Sequence, residues 1–206
     1  TDTFVNADRI RGTNEADTFV GSSGFQRFYG LGGNDVIDGG SSGYQADYLS
    51  DAANGGTLGV SVNLAAGTAI DGFGDTDTLI NIERASGTEF DDTLIGSASD
   101  FNRLRGLGGN DIIDGGAGFE DEVQYHADAT RGGTLGVTVD LFAGTAIDGF
   151  GDTDTLSNIE VIRGSGTDDV LTGDGNANTF KGLRGTDIID GGSGFDTADY
   201  SLDVVF

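Results

Sequence analysis

The sequence has no cysteine, proline, methionine or tryptophan, and a single histidine. Without cysteine there is no disulfide, so a chain exported to an oxidising compartment needs another staple, and a bound metal is one. Basic residues are scarce: ten lysines and arginines stand against 35 acids. That balance excludes nucleic acid and an anionic membrane as natural partners, because a phosphate backbone needs a basic surface to displace its counterions. No apolar run approaches the length of a membrane span, so membrane insertion by this segment is not expected. No signal peptide is legible at the N-terminus, and no stretch reads as an amphipathic helix. The lone His126 has no counterpart elsewhere, and catalysis by a nucleophile, a histidine and an acid needs partners that the pattern does not supply.

What the chain has instead is glycine and acid, with 38 glycines and a formal net charge of −25. A charge this large strains a compact state by self-repulsion, so the natural partner is a cation and the folded form calls for bound counter-charge. The glycines fall into a repeated unit. Gly30-Leu31-Gly32-Gly33-Asn34-Asp35-Val36-Ile37-Asp38 returns as Gly106 to Asp114 and again as Gly182 to Asp190, in equal steps. Around it the chain advances by nines from Gly12, Gly21 and Gly30. Glycine stands first, a polar residue (Asp17, Gln26, Asp35) sixth and a large apolar residue (Phe19, Phe28, Ile37) eighth. A glycine-rich turn ending in an aspartate suits a tight bend that grips something with oxygens before a short strand, whose apolar residue points inward.

Three such blocks cover about residues 11–48, 87–125 and 164–200. The intervening segments 49–86 and 126–163 contain an alternating stretch, Val60-Ser61-Val62-Asn63-Leu64, and a run, Ala66 to Leu79, that recurs unchanged as Ala143 to Leu156. Identity of that kind marks the connectors as β-coils of the architecture rather than linkers. No shift in composition marks a boundary, so residues 1–206 form a single continuous β-solenoid fragment on this reading. Two nonapeptides make about one coil, and some eleven coils at the roughly 4.8 Å strand spacing give a rod of about 50 Å. Thr1-Asp2-Thr3-Phe4-Val5-Asn6 parallels Thr76 to Asn81, so the chain starts mid-repeat. The expectation is a piece of a longer parent chain with neighbouring domains.

The turns at Gly30, Gly106 and Gly182 resemble the calcium-binding nonapeptide of the RTX, or hemolysin-type, repeat family. The resemblance covers roughly half of the chain. It implies an all-β, right-handed parallel β-roll or β-helix solenoid with Ca2+ in its turns, each ion lying between turn n and turn n+2 on one edge. The earlier turn is then expected to give carbonyls from positions two and four with its aspartate, and the later turn carbonyls from positions one and three with its own. Carried over to this sequence, Thr13, Glu15 and Asp17 face Gly30, Gly32 and Asp35. Thr88, Phe90 and Asp92 face Gly106, Gly108 and Asp111, while Ser165, Thr167 and Asp169 face Gly182, Arg184 and Asp187. Calcium chemistry agrees, since the ion takes six to eight hard oxygens at about 2.3–2.6 Å.

On the opposite edge the resemblance pairs Gln26 with Gln45, Asn102 with Glu120 and Asn178 with Asp196. Fewer carboxylates predict weaker sites there, with the Gln26/Gln45 site empty. The insertions at Ser41-Ser42 and Ser97-Ala98-Ser99-Asp100 point the same way. Asp71, Asp75 and Asp77, with their copies Asp148, Asp152 and Asp154, lack the glycine frame and suit side-chain turns as well as a cation. Arg27, Arg103, Arg105, Lys181 and Arg184 recur at similar places and are read as neutralising the acidic surface. The expected function is a non-enzymatic, calcium-binding module of a large secreted bacterial protein. It folds on meeting calcium outside the cell and serves a structural or adhesive role towards an extracellular surface or polysaccharide. The alternative is an accessory module of an extracellular protease, lipase or polysaccharide epimerase or lyase.

Overall fold

The computed structural model describes residues 7–22, 24–40, 44–99 and 101–201. Thr1 to Asn6, Ser41-Ser42 and Asp100 lie outside them. The nonapeptide becomes one short strand and one turn. In β1 (Arg9–Arg11), β2 (Thr18–Val20), β3 (Arg27–Tyr29) and β4 (Val36–Asp38) the middle residue, Ile10, Phe19, Phe28 or Ile37, is buried. β1 pairs in parallel with β3, and β2 with β4, so two nonapeptides close one coil. The eighth-position residues fill the space between two sheets, where Phe28 meets Phe19 at 5.8 Å and Tyr44 at 6.1 Å between ring centroids. Burial of this single file of apolar residues is the hydrophobic contribution to the stack.

The connectors are integral to the sheets, but they are not parallel coils. After β5 (Tyr44–Asp47) the chain forms β6 (Ser61–Asn63), β7 (Thr68–Ile70) and β8 (Thr76–Ile80), then β9 (Ile82–Ser86) and β10 (Thr93–Ile95). β7 runs antiparallel to both β6 and β8, and the order in the sheet is β4-β8-β7-β6-β10. The reason lies in the turns. Leu64–Gly67 and Asp71–Asp75 are too short to cross the core, so the chain doubles back within one sheet. The Asp71 carboxylate closes the second turn by accepting from the N–H groups of Phe73 and Asp75, at 2.9 and 2.8 Å. The second connector repeats the arrangement with strands 138–140, 145–147 and 153–157.

Each connector therefore adds three strands to one sheet and one to the other, giving sheets of twelve and nine strands. At about 4.8 Å per strand the mismatch is roughly 10 Å per connector.

Candidate metal centre

Along one edge of the stack the aspartates of successive turns form a ladder. The backbone N–H of Asp17 donates to Asp35 Oδ1 at 2.8 Å, that of Asp92 to Asp111 Oδ1 at 2.8 Å, and that of Asp169 to Asp187 Oδ1 at 3.1 Å. Each earlier aspartate also folds back over its own turn, accepting from the N–H of Thr13, Thr88 or Ser165 at 2.6–2.8 Å. Glycine at position one makes this possible. A methyl group built on Gly12 would stand 2.6 Å from Asp17 Oδ2 and 2.7 Å from the Gly30 carbonyl oxygen. One built on Gly87 would strike Asp92 Oδ2 and stand 2.9 Å from the Gly106 carbonyl. The earlier carboxylate and the later turn's first carbonyl thus meet over the same bare α-carbon.

The other expected donors fall around that point unevenly. The Thr13 hydroxyl lies 3.0 Å from Asp17 Oδ2 and 3.4 Å from the Glu15 carbonyl, and the Ser165 hydroxyl lies 2.6 Å from Asp169 Oδ1 and 3.5 Å from the Thr167 carbonyl. In the second block Thr88 reaches Asp92 at 3.0 Å and accepts from the Phe90 N–H. Gly32 and Gly108 pack against the rings of Phe73 and Phe150 from the following connectors, whereas Arg184, their counterpart, is exposed.

Electrostatics shows what the turns lack. Asp35 Oδ2 and Asp111 Oδ2 are buried, and neither has a hydrogen-bond partner among the described residues. Burial, then the charges of Asp154 and Asp92, push the Asp111 carboxyl up to about 9. Burial lifts Asp92 to about 7 against the hydrogen bonds from Thr88 and Val60, and lifts Asp35 to about 6; Asp169 is also raised by burial. Carboxyls perturbed this way need either a proton or a nearby cation. Among the described residues no three acidic or histidine side chains gather closely enough to hold an ion by themselves. An ion here would be completed by backbone carbonyls, and the orphaned acid oxygens, adjoining carbonyls and cleared glycines fit the oxygen-only preference of calcium.

The opposite edge is closed in three different ways. Asn178 and Asp196 come together as expected, through the Asn178 N–H to Asp196 Oδ1 at 3.0 Å. In the second block the partner of Asn102 is Asp121 and not Glu120. Arg103 registers with Glu122, Asp121 Oδ1 accepts from the Asn102 N–H at 2.7 Å, and Glu120 is exposed. This fourth turn is one residue longer than its counterpart after Gly191, and that slips the acid by one position. Asp121 Oδ2 is again buried without a partner. The Asn102 amide nitrogen points at the carbonyls of Ser97, Ser99 and Gly115, at 3.3, 3.5 and 3.1 Å. In the first block Gln26 and Gln45 meet only through the backbone, the Gln45 N–H donating to the Gln26 carbonyl at 3.2 Å, while their side chains bond elsewhere, to Ala7 and to Ser86. Gln45 registers with Arg27 on the outer face, and Tyr44 takes the turn position, fully buried, with its hydroxyl donating to the Ser22 carbonyl.

The connectors hold further acids that the nonapeptide frame does not reveal. Asp77 Oδ1 accepts from the Asp35 N–H at 2.9 Å and Asp154 Oδ1 from the Asp111 N–H at 3.1 Å, so both extend the ladder. The other oxygen of each accepts from a buried tyrosine, Tyr48 or Tyr125, at 3.0 Å. Asp51 and Asp128 are buried beside them, each with one unpartnered oxygen, and so are Asp71 and Asp148. Burial first, then neighbouring carboxylates, raise Asp51 to about 7; burial also lifts Asp128, Asp77 and Asp154 to about 7. The side-chain-turn reading of Asp71 and Asp148 therefore accounts for one oxygen of each and leaves the other. A signal for Asp51 and Asp128 does exist, because both open the same spaced motif, ending in Gly55 to Val60 and in Gly132 to Val137.

A search among curated proteins returns no matching relative. The family model described as the RTX calcium-binding nonapeptide repeat matches in four copies, at residues 11–42, 82–100, 86–119 and 163–198. Those matches cover just over half of the chain and enclose all three aspartate-paired turns. With the parallel coils, glycine-cleared turns and unpartnered acid oxygens, this places the chain in the RTX calcium-binding nonapeptide repeat family.

Proposed function

We propose that calcium, the ion bound by repeats of this family, is the counter-charge on which the folded state of this chain depends, and that the three paired-aspartate turns are its principal sites. The carrying observation is the set of buried carboxylate oxygens without donors at Asp35 and Asp111. Asp17, Asp92 and Asp169 with Asp35, Asp111 and Asp187 would supply the charge. The carbonyls of Thr13, Glu15, Gly30 and Gly32, and of their counterparts, would complete the shell. Asn178 with Asp196, and Asn102 with Asp121, would form weaker sites. Bound there, the divalent ion supplies the positive charge that lets neighbouring rungs keep ionised acids side by side.

The role follows from the charge. In a calcium-poor compartment a chain carrying −25 repels itself. In millimolar calcium the binding free energy becomes folding free energy. That suits a structural or adhesive module of a secreted protein. Among the described residues no helix is long and apolar enough to cross a membrane. The test is circular dichroism of the chelated 206-residue chain during calcium titration. A change from a disordered to a β spectrum, reversed by chelator, is expected, and a β spectrum indifferent to calcium overturns the proposal.

A further inference from the structure

The scarce basic residues are not scattered over the acidic surface. Eight of the ten lie in strands of the nine-stranded sheet. The middle residue of each strand points into the core, so the residues on either side face outward. One outward row runs through Arg9, Arg27, Gln45, Arg84 and Arg103 in continuous register. The other carries Arg11, Arg105, Arg163 and Lys181.

At the centre of this face is a groove of about 150 Å3, lined by Arg27, Arg84, Arg103, Arg105, Arg163 and Gln124 among others, and by no acidic residue among those described. The neutralising role expected of these residues is met only in part: Arg103 and Lys181 pair with Glu122, and the charge of buried Asp47 acts on Arg105 and Arg27. Among the described residues there are three ion pairs, and none includes Arg27, Arg84, Arg105 or Arg163. Glu122, at the rim, is already engaged by Lys181 at 2.6 Å and Arg103 at 3.6 Å. The Nε atoms of Arg84, Arg105 and Arg163 are buried without a hydrogen-bond partner, and Arg105 as a whole is only 6% exposed.

The guanidinium groups are also held in place. Arg84 lies between the rings of Phe25 and Phe101, at 4.8 and 5.6 Å from their centroids, and Arg103 stacks on Phe101 at 4.4 Å. Arg105 donates to Gln124 Oε1 at 2.8 Å. His126 adds no charge, since burial and then Arg105 and Arg163 push its imidazole down to about 3. Several like charges, fixed, partly desolvated and facing one cavity with idle donors, are costly without a counter-ion.

We propose that this groove is an oxyanion site that receives one carboxylate or sulfate group on the arginine forks. Planar guanidinium groups match the paired oxygens of such a group. The cavity, about 150 Å3, admits one group of that size rather than a long polyanion. The site lies on a sheet face, apart from the calcium turns on the edges.

The test is calorimetric titration of the full calcium-loaded chain with sodium sulfate and, separately, with sodium galacturonate, in chloride at constant ionic strength. Saturable binding of one equivalent is expected, weakened about tenfold or more by Arg84→Gln and by Arg163→Gln, the loss of one charge-assisted contact. Both variants should keep the wild-type dichroism and calcium stoichiometry; one that does not fold is set aside and the other read. Tighter binding of galacturonate assigns the site to an acidic sugar, and tighter binding of sulfate to a free inorganic anion. Absence of saturable binding of either by the unsubstituted chain overturns the proposal, as does binding that every folded variant retains.

Discussion

The two edges of the stack share a backbone plan and differ in what closes it. On one edge every block sets two aspartates in register, with Oδ1 taking a backbone N–H and Asp35 and Asp111 leaving Oδ2 buried and unanswered. On the other edge the same turn is closed by the phenol of Tyr44, by Asn102 with Asp121, and by Asn178 with Asp196. The glycine turn by itself therefore does not define a cation site. Where Tyr44 fills the turn, packing replaces charge, and where Asn102 aims its amide at three carbonyls, a neutral donor takes up part of the oxygen lining. The aspartate edge leaves buried acid oxygens without a donor, and the Tyr44 turn does not.

The largest expected effect is the response of the calcium-free chain to pH. Asp35, Asp92 and Asp111, at about 6, 7 and 9 when folded against a reference of 3.8, bind protons more tightly folded than unfolded. Their contribution to the calcium-free fold is full below 3.8 and is lost as pH rises through 6 to 9. In chelator the β spectrum should be stronger at about pH 5 than at about pH 8. In saturating calcium the order reverses, because acid competes with the ion for carboxylates. A β spectrum of equal strength at both values in chelator would show that the aspartate edge does not govern folding.

Next in size is the division of calcium sites into classes. Asp111→Asn should remove one tight site from a calorimetric titration, weakening it about tenfold or more. Asp121→Asn should leave the tight class intact. A loss of tight binding in Asp121→Asn places the strong sites on the wrong edge. Tyr44→Asp sharpens the contrast from the other side, since it restores an acid to the turn and should add one weak calcium equivalent; unchanged stoichiometry would mean that more than side-chain charge is missing there. The smallest effect belongs to Tyr44→Phe. It deletes the hydrogen bond to the Ser22 carbonyl and should lower the calcium-loaded stability by about 1 kcal/mol in a denaturant melt, without altering calcium uptake.

Much of the fold was legible because its causes are local. Phe19, Phe28 and Ile37 at position eight, and glycine at position one, announce a buried strand residue and a bend within nine residues. The pairing of Asp17 with Asp35 follows once two nonapeptides close a coil. What was illegible depends on register. Glu120 and Asp121 are adjacent acids, and only the pairing of Arg103 with Glu122 shows which one enters the turn. Gln45 looks like a turn residue by count, yet it stands beside Arg27 on the outer face. The meander of β6, β7 and β8 was hidden because alternation identifies a strand without its direction.

The amino-acid sequence on its own determined the repeat, the coil of two nonapeptides, the acidic turns and the kind of ion they suit, since each rests on spacing and composition within one turn. The tertiary structure alone decided which acids face each other, that the connectors fold back and lengthen one sheet, and that eight basic residues spread along the chain converge on one face. Those outcomes belong to contacts between rungs, where a shift of one residue exchanges inside for outside.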